Sequence, residues 1–322
     1  MLLGFDIGGT KCAVVLGEKS GDSNIKLIDK TVLPTGQSVH DMIESLFISA
    51  ELILEKNGLK KEALHGIGIS CGGPLNSKKG VILSPPNLPG WDHIAIVEMA
   101  EKRFGIKTHL QNDANACAVA EWKYGAGRGY NHIVFLTFGT GMGAGLILNG
   151  HLYSGPTDLA GEVGHLRLSG TGPVGFGKAG SFEGFCSGGG IAQLAQSKVL
   201  EKLQMGEKVS FCRSMNDLHL LTAKSVAQAA YAGDGLAMDI YKTCGAYLGK
   251  GLSILIDVLN PELIIVGSIY GRAQSLIEPY MREVIALEAI PASYKNCQIV
   301  PAALTENIGD IAALTLADSD WA

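Results

Sequence analysis

Two glycine-rich turns stand about half a chain apart, and their residue types suit the binding of one large anion. The first runs Asp6-Ile7-Gly8-Gly9-Thr10-Lys11, and the second runs Gly139-Thr140-Gly141-Met142-Gly143-Ala144-Gly145. Glycine lets a backbone come close to a bulky anion, and turn amides can then point at phosphate oxygens. Each turn sits between apolar runs, so each reads as strand, tight turn, strand. One such turn alone says little. Two, each at the head of a half-chain, point to a duplicated fold that clamps a polyphosphate between its halves.

The elements that must hold these turns follow from periodicity. Strands are predicted at 2–7, 11–17 and 26–33, then an amphipathic helix in which Val39, Met42, Ile43, Leu46, Phe47, Ala50, Ile53 and Leu54 repeat at helical spacing. Leu64 to Ser70 reads as a strand running into the breaker cluster Cys71-Gly72-Gly73-Pro74, and Ser84 to Trp91 as a stiff loop. A helix over 93–104, a strand over 106–111 and a helix from about Asn115 to Tyr124 complete the first half. The second half opens with a hairpin over 132–149, followed by a glycine-rich stretch, 155–190, expected to be irregular. Helices are expected at about 222–231 and 236–258, a strand at 262–266, a helix at 271–288, a strand at 298–300 and a last helix near 309–318. This alternation implies an α/β fold. The boundary is placed near Gln111–Ala114, giving domains of 1–112 plus about 304–322, and 113–303, with the C-terminal helix packing back on the first half.

Composition narrows the field. The 322 residues are enough for one or two domains with a sizeable core, and 47% hydrophobic with 18% charged is an ordinary globular mix. The 43 glycines follow no repeat, which excludes a collagen-like chain. A net charge of −5 speaks against a nucleic-acid partner, which needs a basic face. No apolar run reaches the ~18 residues of a membrane span, and the first strand begins too near Met1 for a signal peptide. The seven cysteines (12, 71, 117, 186, 212, 244 and 297) form no CxxC pair and lie mostly in apolar segments, as expected of reduced thiols in a cytoplasmic protein.

With the two turns, three further segments complete an ordered set: Asn112-Asp113-Ala114-Asn115-Ala116, Glu162-Val163-Gly164-His165, and Asn260-Pro261 through Val266-Gly267. In this set the chain resembles the ROK family of repressors, open reading frames and sugar kinases, within the actin-like ATPase superfamily. Gly309-Asp310-Ile311 echoes that family's C-terminal segment. The resemblance implies duplicated actin-like ATPase (ribonuclease H-like) domains with a cleft between them, ATP and Mg²⁺ as cofactors, a sugar as acceptor, and a homodimer. The repressor branch carries an added N-terminal helix-turn-helix. Here the first phosphate motif begins at residue 6, which favours the kinase branch.

The roles follow residue by residue. Asp6 is expected to hold Mg²⁺ through water, because this ion keeps part of its hydration shell; the plainer role is a turn carboxylate capping its own backbone. Gly8, Gly9, Thr10 and Lys11 would meet the terminal phosphates, with Gly139, Thr140, Gly141 and Gly143 in the second turn and Gly267 toward the adenosine. Asp113 is the candidate general base, at a strand-to-helix junction where α/β folds place reactive groups. Its plainer role is an N-cap, and Asn115 is expected to cap while Asp113 reaches into the cleft. Asn112, Glu162, His165 and Glu183 are expected to contact the sugar, with Gly73 and Asn87 as loop contacts. The leading reading is an ATP-dependent kinase for a hexose or N-acetylhexosamine; the alternative is a sugar or nucleotide sensor on the same fold.

Two departures stand out. Where the family carries CxCGxxGCxE, this chain has Val174, Phe176 and Ser181 at the three cysteine positions, leaving His165 alone of four zinc ligands. No zinc site is expected, and Val174 with Phe176 is expected to form a small apolar cluster that holds the loop. Ser268 follows Gly267 where the family has a further glycine, and its Cβ makes positive φ costly.

Overall fold

Nearly every residue of the first strand is buried, which requires cover on both faces of the sheet around it. The computed structural model describes residues 1–21, 24–36, 38–318 and 321. In it β1 (Leu2–Ile7), β2 (Lys11–Lys19) and β3 (Ile25–Pro34) form an antiparallel meander. Helix α1 (Val39–Lys56) follows, started by the Ser38 hydroxyl accepting the Asp41 N–H. Strand β4 (Gly66–Cys71) then runs parallel to β1, and β5 (Leu75–Asn76) with β6 (Val81–Ile82) makes a small hairpin. Helix α2 (Ile96–Phe104) ends at Gly105 in a left-handed conformation, and β7 (Thr108–Asn112) joins β4 in parallel before α3 (Asp113–Tyr124) begins. The sheet order is β3-β2-β1-β4-β7. Its register sets Asp6 opposite Ser70 and Cys71 opposite Asn112, so the chain leaves β1, β4 and β7 at one end of the sheet. Asp6, Gly73 and Asp113 all stand at that end, where doubly wound sheets bind their ligands.

The core on one face gathers Met42, Leu46, Phe47, Ile53 and Phe104 over β1. Phe47 meets Phe5 and Phe104 edge-on, at ring separations of 5.9 and 5.5 Å. Each such side chain contributes roughly 1.5–3 kcal/mol by leaving water.

A second sheet starts with β8 (Ile133–Leu136), β9 (Ala144–Leu148) and β10 (His151–Leu152). The hairpin β11 (Val174–Gly175) and β12 (Lys178–Ala179) and the short α4 (Phe182–Phe185) come next, then α5 (Gly188–Gln204), α6 (Ala223–Tyr231) and α7 (Gly235–Leu259). Strand β13 (Leu263–Val266), α8 (Ile269–Glu288), α9 (Pro291–Tyr294), β14 (Gln298–Pro301) and α10 (Ile308–Ala317) close the chain. The second sheet has the order β10-β9-β8-β13-β14, so the fold is mixed α/β with two five-stranded mixed sheets. Two compact units result. One comprises Met1–Phe135, Gly145–Ala160 and Ala303–Ala322; the other comprises Leu136–Ala144 and Gly161–Ala302. In the first unit α10 lies against β1 and β4. A Cβ on Gly66 or Gly68 would fall 2.0 Å from the Ala317 or Ala313 carbonyl oxygen, so β4 needs glycine at both positions.

Two differences from expectation have physical causes. The 155–190 stretch carries β11, β12 and α4, and α5 was not foreseen, because it opens on Gly188-Gly189-Gly190, the poorest of helix formers apart from proline. Its start is set instead by Ser187, whose hydroxyl accepts the Gly190 N–H at 3.0 Å. Helix α3 begins two residues early. Asn112 is its cap, accepting the Ala114 N–H at 2.9 Å, while Asn115 is buried inside and donates to the Gln111 side chain at 3.2 Å.

Candidate active site

The candidate residues fall into one set on each unit. In the first unit, Gly8 N–H donates to the Lys11 carbonyl at 3.2 Å and closes the turn after β1. Thr35, just past β3, braces it from behind: its hydroxyl donates to Gly8 O at 2.7 Å and its amide to Thr10 O at 3.1 Å. Gly9, Thr10 and Lys11 are exposed. A Cβ on Gly9 would lie 2.5 Å from the Asn87 carbonyl oxygen, so the 84–91 loop passes directly over this turn. A Cβ on Gly73 would lie 2.9 Å from Asn112 Nδ2. The structure therefore brings Gly9 to Asn87, and Gly73 to Asn112.

Electrostatics set the character of this place. Asp6 is half-buried, and its carboxyl is pushed up to about 6, first by lost hydration, then by the negative charges of Asp113 and Asp310; Lys30 and Lys11 pull the other way. Asp113 keeps exposed surface, yet enough protein surrounds its carboxyl that lost hydration raises it; the Ala114 N–H, 2.8 Å from Oδ1, opposes the rise. Two carboxylates that repel each other form a hard-oxygen environment suited to Mg²⁺, which takes one or two carboxylates and fills its shell with water and phosphate. Asp6, with the negative charges of Asp113 and Asp310 near it, thus fits a hydrated ion of this kind. Among the described residues no group of three or more His, Cys, Asp or Glu is arranged to hold a metal by itself.

Lys30 and Asp310 belong to this environment and were not foreseen as partners. Lys30 Nζ meets Asp310 Oδ2 at 2.6 Å, and Asp310 is 4% exposed. Asp310 stands on the first turn of α10, where a Cβ on Gly309 would lie 3.0 Å from Asp6 Oδ2. The pair is 280 residues apart in sequence. Its sequence signal is faint: one charged residue inside the mostly apolar Ile308–Ala317.

On the second unit, Gly139 N–H donates to Gly141 O at 3.2 Å, and the Thr137 hydroxyl accepts the Gly143 N–H at 2.8 Å. Glu183 Oε2 accepts the Met142 N–H at 3.0 Å, so this carboxylate pins the turn. Gly188, the first residue of α5, donates its N–H to Gly139 O at 2.8 Å. The turn thus lies at the start of a 17-residue helix, whose amide ends favour an anion. A Cβ on Gly164 would fall 2.3 Å from Met142 O and 3.3 Å from Glu183 Cβ, so the Glu162–His165 segment packs on the same turn. Glu162 is exposed, and His165 is half-buried with its ring edge-on to Phe176 at 5.0 Å. Gly267 donates to Leu136 O at 2.9 Å, and Ser268 sits at φ +48°, ψ −103°, a conformation that favours glycine.

The expected apolar cluster in place of zinc does not form. Val174 is 46% and Phe176 63% exposed, because both lie on the small surface hairpin. Polar bonds hold the loop instead. Gln193 clasps the Val174 backbone twice at 2.9 Å, and the buried Ser181 hydroxyl accepts the Gly184 N–H at 3.0 Å.

A family model described as "ROK family" matches residues 2–320. The chain belongs to the ROK family. It is similar to a glucokinase of Thermotoga maritima, 30% identical over 316 residues, covering 98% of this chain and 96% of the relative. A putative xylose repressor of a Caldicellulosiruptor species is 25% identical over 321 residues, covering 99% of this chain and 78% of the relative. Among solved structures, a ROK glucokinase of Streptomyces griseus in complex with glucose and AMPPNP matches with a TM-score of 0.77 at 26% identity, over 98% of each chain. The two-domain actin-like fold expected of the family is thereby matched. No helix among the described residues is long and apolar enough to cross a membrane.

Proposed function

We propose that this ROK protein is an ATP-dependent kinase that phosphorylates a hydroxyl of a hexose or N-acetylhexosamine. The observation that carries the reading is Asp113. It is an exposed carboxylate at the first position of α3, next to Asn112 and close enough to Asp6 for their charges to interact. Kinase relatives at about this similarity, one of them crystallised with glucose and AMPPNP, support it.

In this mechanism Asp113 accepts the proton of the sugar hydroxyl as its oxygen forms a bond to the γ-phosphorus. The bond from γ-phosphorus to the bridging oxygen breaks, and ADP leaves with that electron pair. Phosphoryl transfer asks the protein mainly for position and charge neutralisation. Gly8, Gly9, Thr10 and Lys11, with Gly139, Thr140, Gly141 and Gly143, orient the phosphates, and Gly267 approaches the nucleoside. Asp6 would hold Mg²⁺ through water, and the ion would supply positive charge against the phosphates. Asn112, Glu162, His165 and Glu183, with Gly73 and Asn87, match the sugar hydroxyls one by one.

A panel of sugars tested for ADP release with Mg·ATP checks the reading. Sugar-dependent release is expected, and Asp113→Asn should lower kcat by about 10²–10⁴ while calorimetry still finds the sugar bound. Sugar binding without turnover across the panel would favour a second reading, a sugar sensor, which the similarity to a putative xylose repressor supports.

A further inference from the structure

The first unit carries a second concave site, alongside β7. A cavity of about 410 Å³ lies between the β5–β6 turn, the start of β7 and Trp321. Lys78 and Lys79 project from that turn and Lys107 from the approach to β7. None of the three amines has a carboxylate partner among the described residues. Glu101 is the one acidic side chain in the lining, and its Oε1 is engaged by the Thr108 N–H at 3.1 Å. The turn is a built one. The Ser77 amide and hydroxyl each donate to the buried Asp158 carboxylate at 2.8 Å, and the Lys79 amide donates to Asn76 Oδ1 at 2.9 Å. His109 lies beside the lysines with its Nε2 buried and without a partner among the described residues, and its ring meets the edge of Trp321 at 5.9 Å. Lost hydration, then Lys107, hold this imidazole below its ordinary value, against the opposing charge of Glu101.

Three lysines without a carboxylate partner among the described residues line this cavity, which gives it a cationic rim in a chain of net charge −5. Its volume falls within the roughly 300–1,000 Å³ of small-molecule sites. Val97 and Leu110 give it an apolar floor and Trp321 an aromatic wall. We propose that this cavity binds a phosphate dianion, free or carried on a small organic molecule, with Lys78, Lys79 and Lys107 on the phosphate oxygens and Trp321 against any organic part. The site is separate from the residues of the proposed phosphoryl transfer and stands whether or not the chain is a kinase.

The test uses the full chain and three probes: inorganic phosphate, glucose 6-phosphate and unphosphorylated glucose. Tryptophan emission is followed, with Trp321→Phe used to identify the Trp321 share of the signal. Saturable, Trp321-dependent quenching by glucose 6-phosphate at millimolar concentration, weakened at least about tenfold in Lys78→Ala/Lys79→Ala/Lys107→Ala, supports the site with an organic phosphate as occupant. Equal response to inorganic phosphate supports it with free phosphate as occupant. Lys107→Glu alone, an exposed substitution, repeats the loss should the triple variant fold poorly. No saturable response, a response unchanged by the lysine substitutions, or an equal response to unphosphorylated glucose overturns the proposal.

Discussion

Replacing Asp6 by asparagine should make the protein more stable and useless as a kinase. The Asp6 carboxyl is raised from 3.8 to about 6, chiefly because the fold strips away its water and sets Asp113 and Asp310 near it. A group that holds its proton more tightly in the folded state favours folding at low pH and weighs against it at high pH. Below the ordinary carboxylate value both states are protonated and the handicap is absent. It grows as pH rises from about 4 to about 6, and above that both states are ionised and it is complete. Two units at 1.36 kcal/mol each give about 3 kcal/mol, an upper figure for a half-buried side chain. A neutral amide in this place cannot ionise, so Asp6→Asn should gain about 2–3 kcal/mol near pH 7.5 and almost nothing near pH 4. Urea unfolding of both proteins in EDTA at the two pH values measures this, and sugar-dependent ADP release with Mg·ATP should be lost. A gain of the same size at both pH values, or a loss near neutrality, would refute the electrostatic reasoning.

Three further outcomes are expected. Lys30→Met leaves the Asp310 side chain, 5% exposed, without its cation; because Lys30 is itself 33% exposed, the cost should be about 2–4 kcal/mol rather than more, and an unfolding loss near 0.5 kcal/mol would mean a surface pair. Gly9→Ala drives a Cβ to 2.5 Å from Asn87 O, so stability should fall by about 1–3 kcal/mol and KM for the sugar should rise as the loop shifts; an unchanged KM would separate Asn87 from the acceptor. Ser268→Gly relieves roughly 1–3 kcal/mol of backbone strain and gives back about 0.4–1 kcal/mol of chain entropy. A rise in melting temperature is the expected net result, and a fall would show Ser268 to be unstrained.

Periodicity and glycine patterns located most of the framework. The strands 2–7 and 262–266 and the helices 222–231 and 236–258 fall within a residue or two of those observed, because long amphipathic or buried segments carry strong local signals. The same logic passed over α5, whose three leading glycines hide a helix that Ser187 and tertiary packing start. The candidate site's local geometry was legible where residues are sequence neighbours, as in Asn112-Asp113 and Gly8-Gly9, and the cost of a side chain at 268 was foreseen at a residue found at φ +48°. It was illegible where partners are far apart. Nothing local announces that Lys30 seeks Asp310, that Glu183 holds Met142, or that a hydroxyl and a glutamine brace the 174–184 loop.

Under the proposed function, the bond from Met142 N–H to Glu183 would tie two duties to one side chain. An acceptor hydroxyl leaning on this carboxylate would draw it from the turn proposed to grip the donor or fasten it there, so the two ligands would not be indifferent to each other. By thermodynamic reciprocity, whatever factor one exerts on the other's affinity is returned in full. A preference among sugars would then be written twice, once in their own dissociation constants and once in how tightly each leaves the nucleotide held.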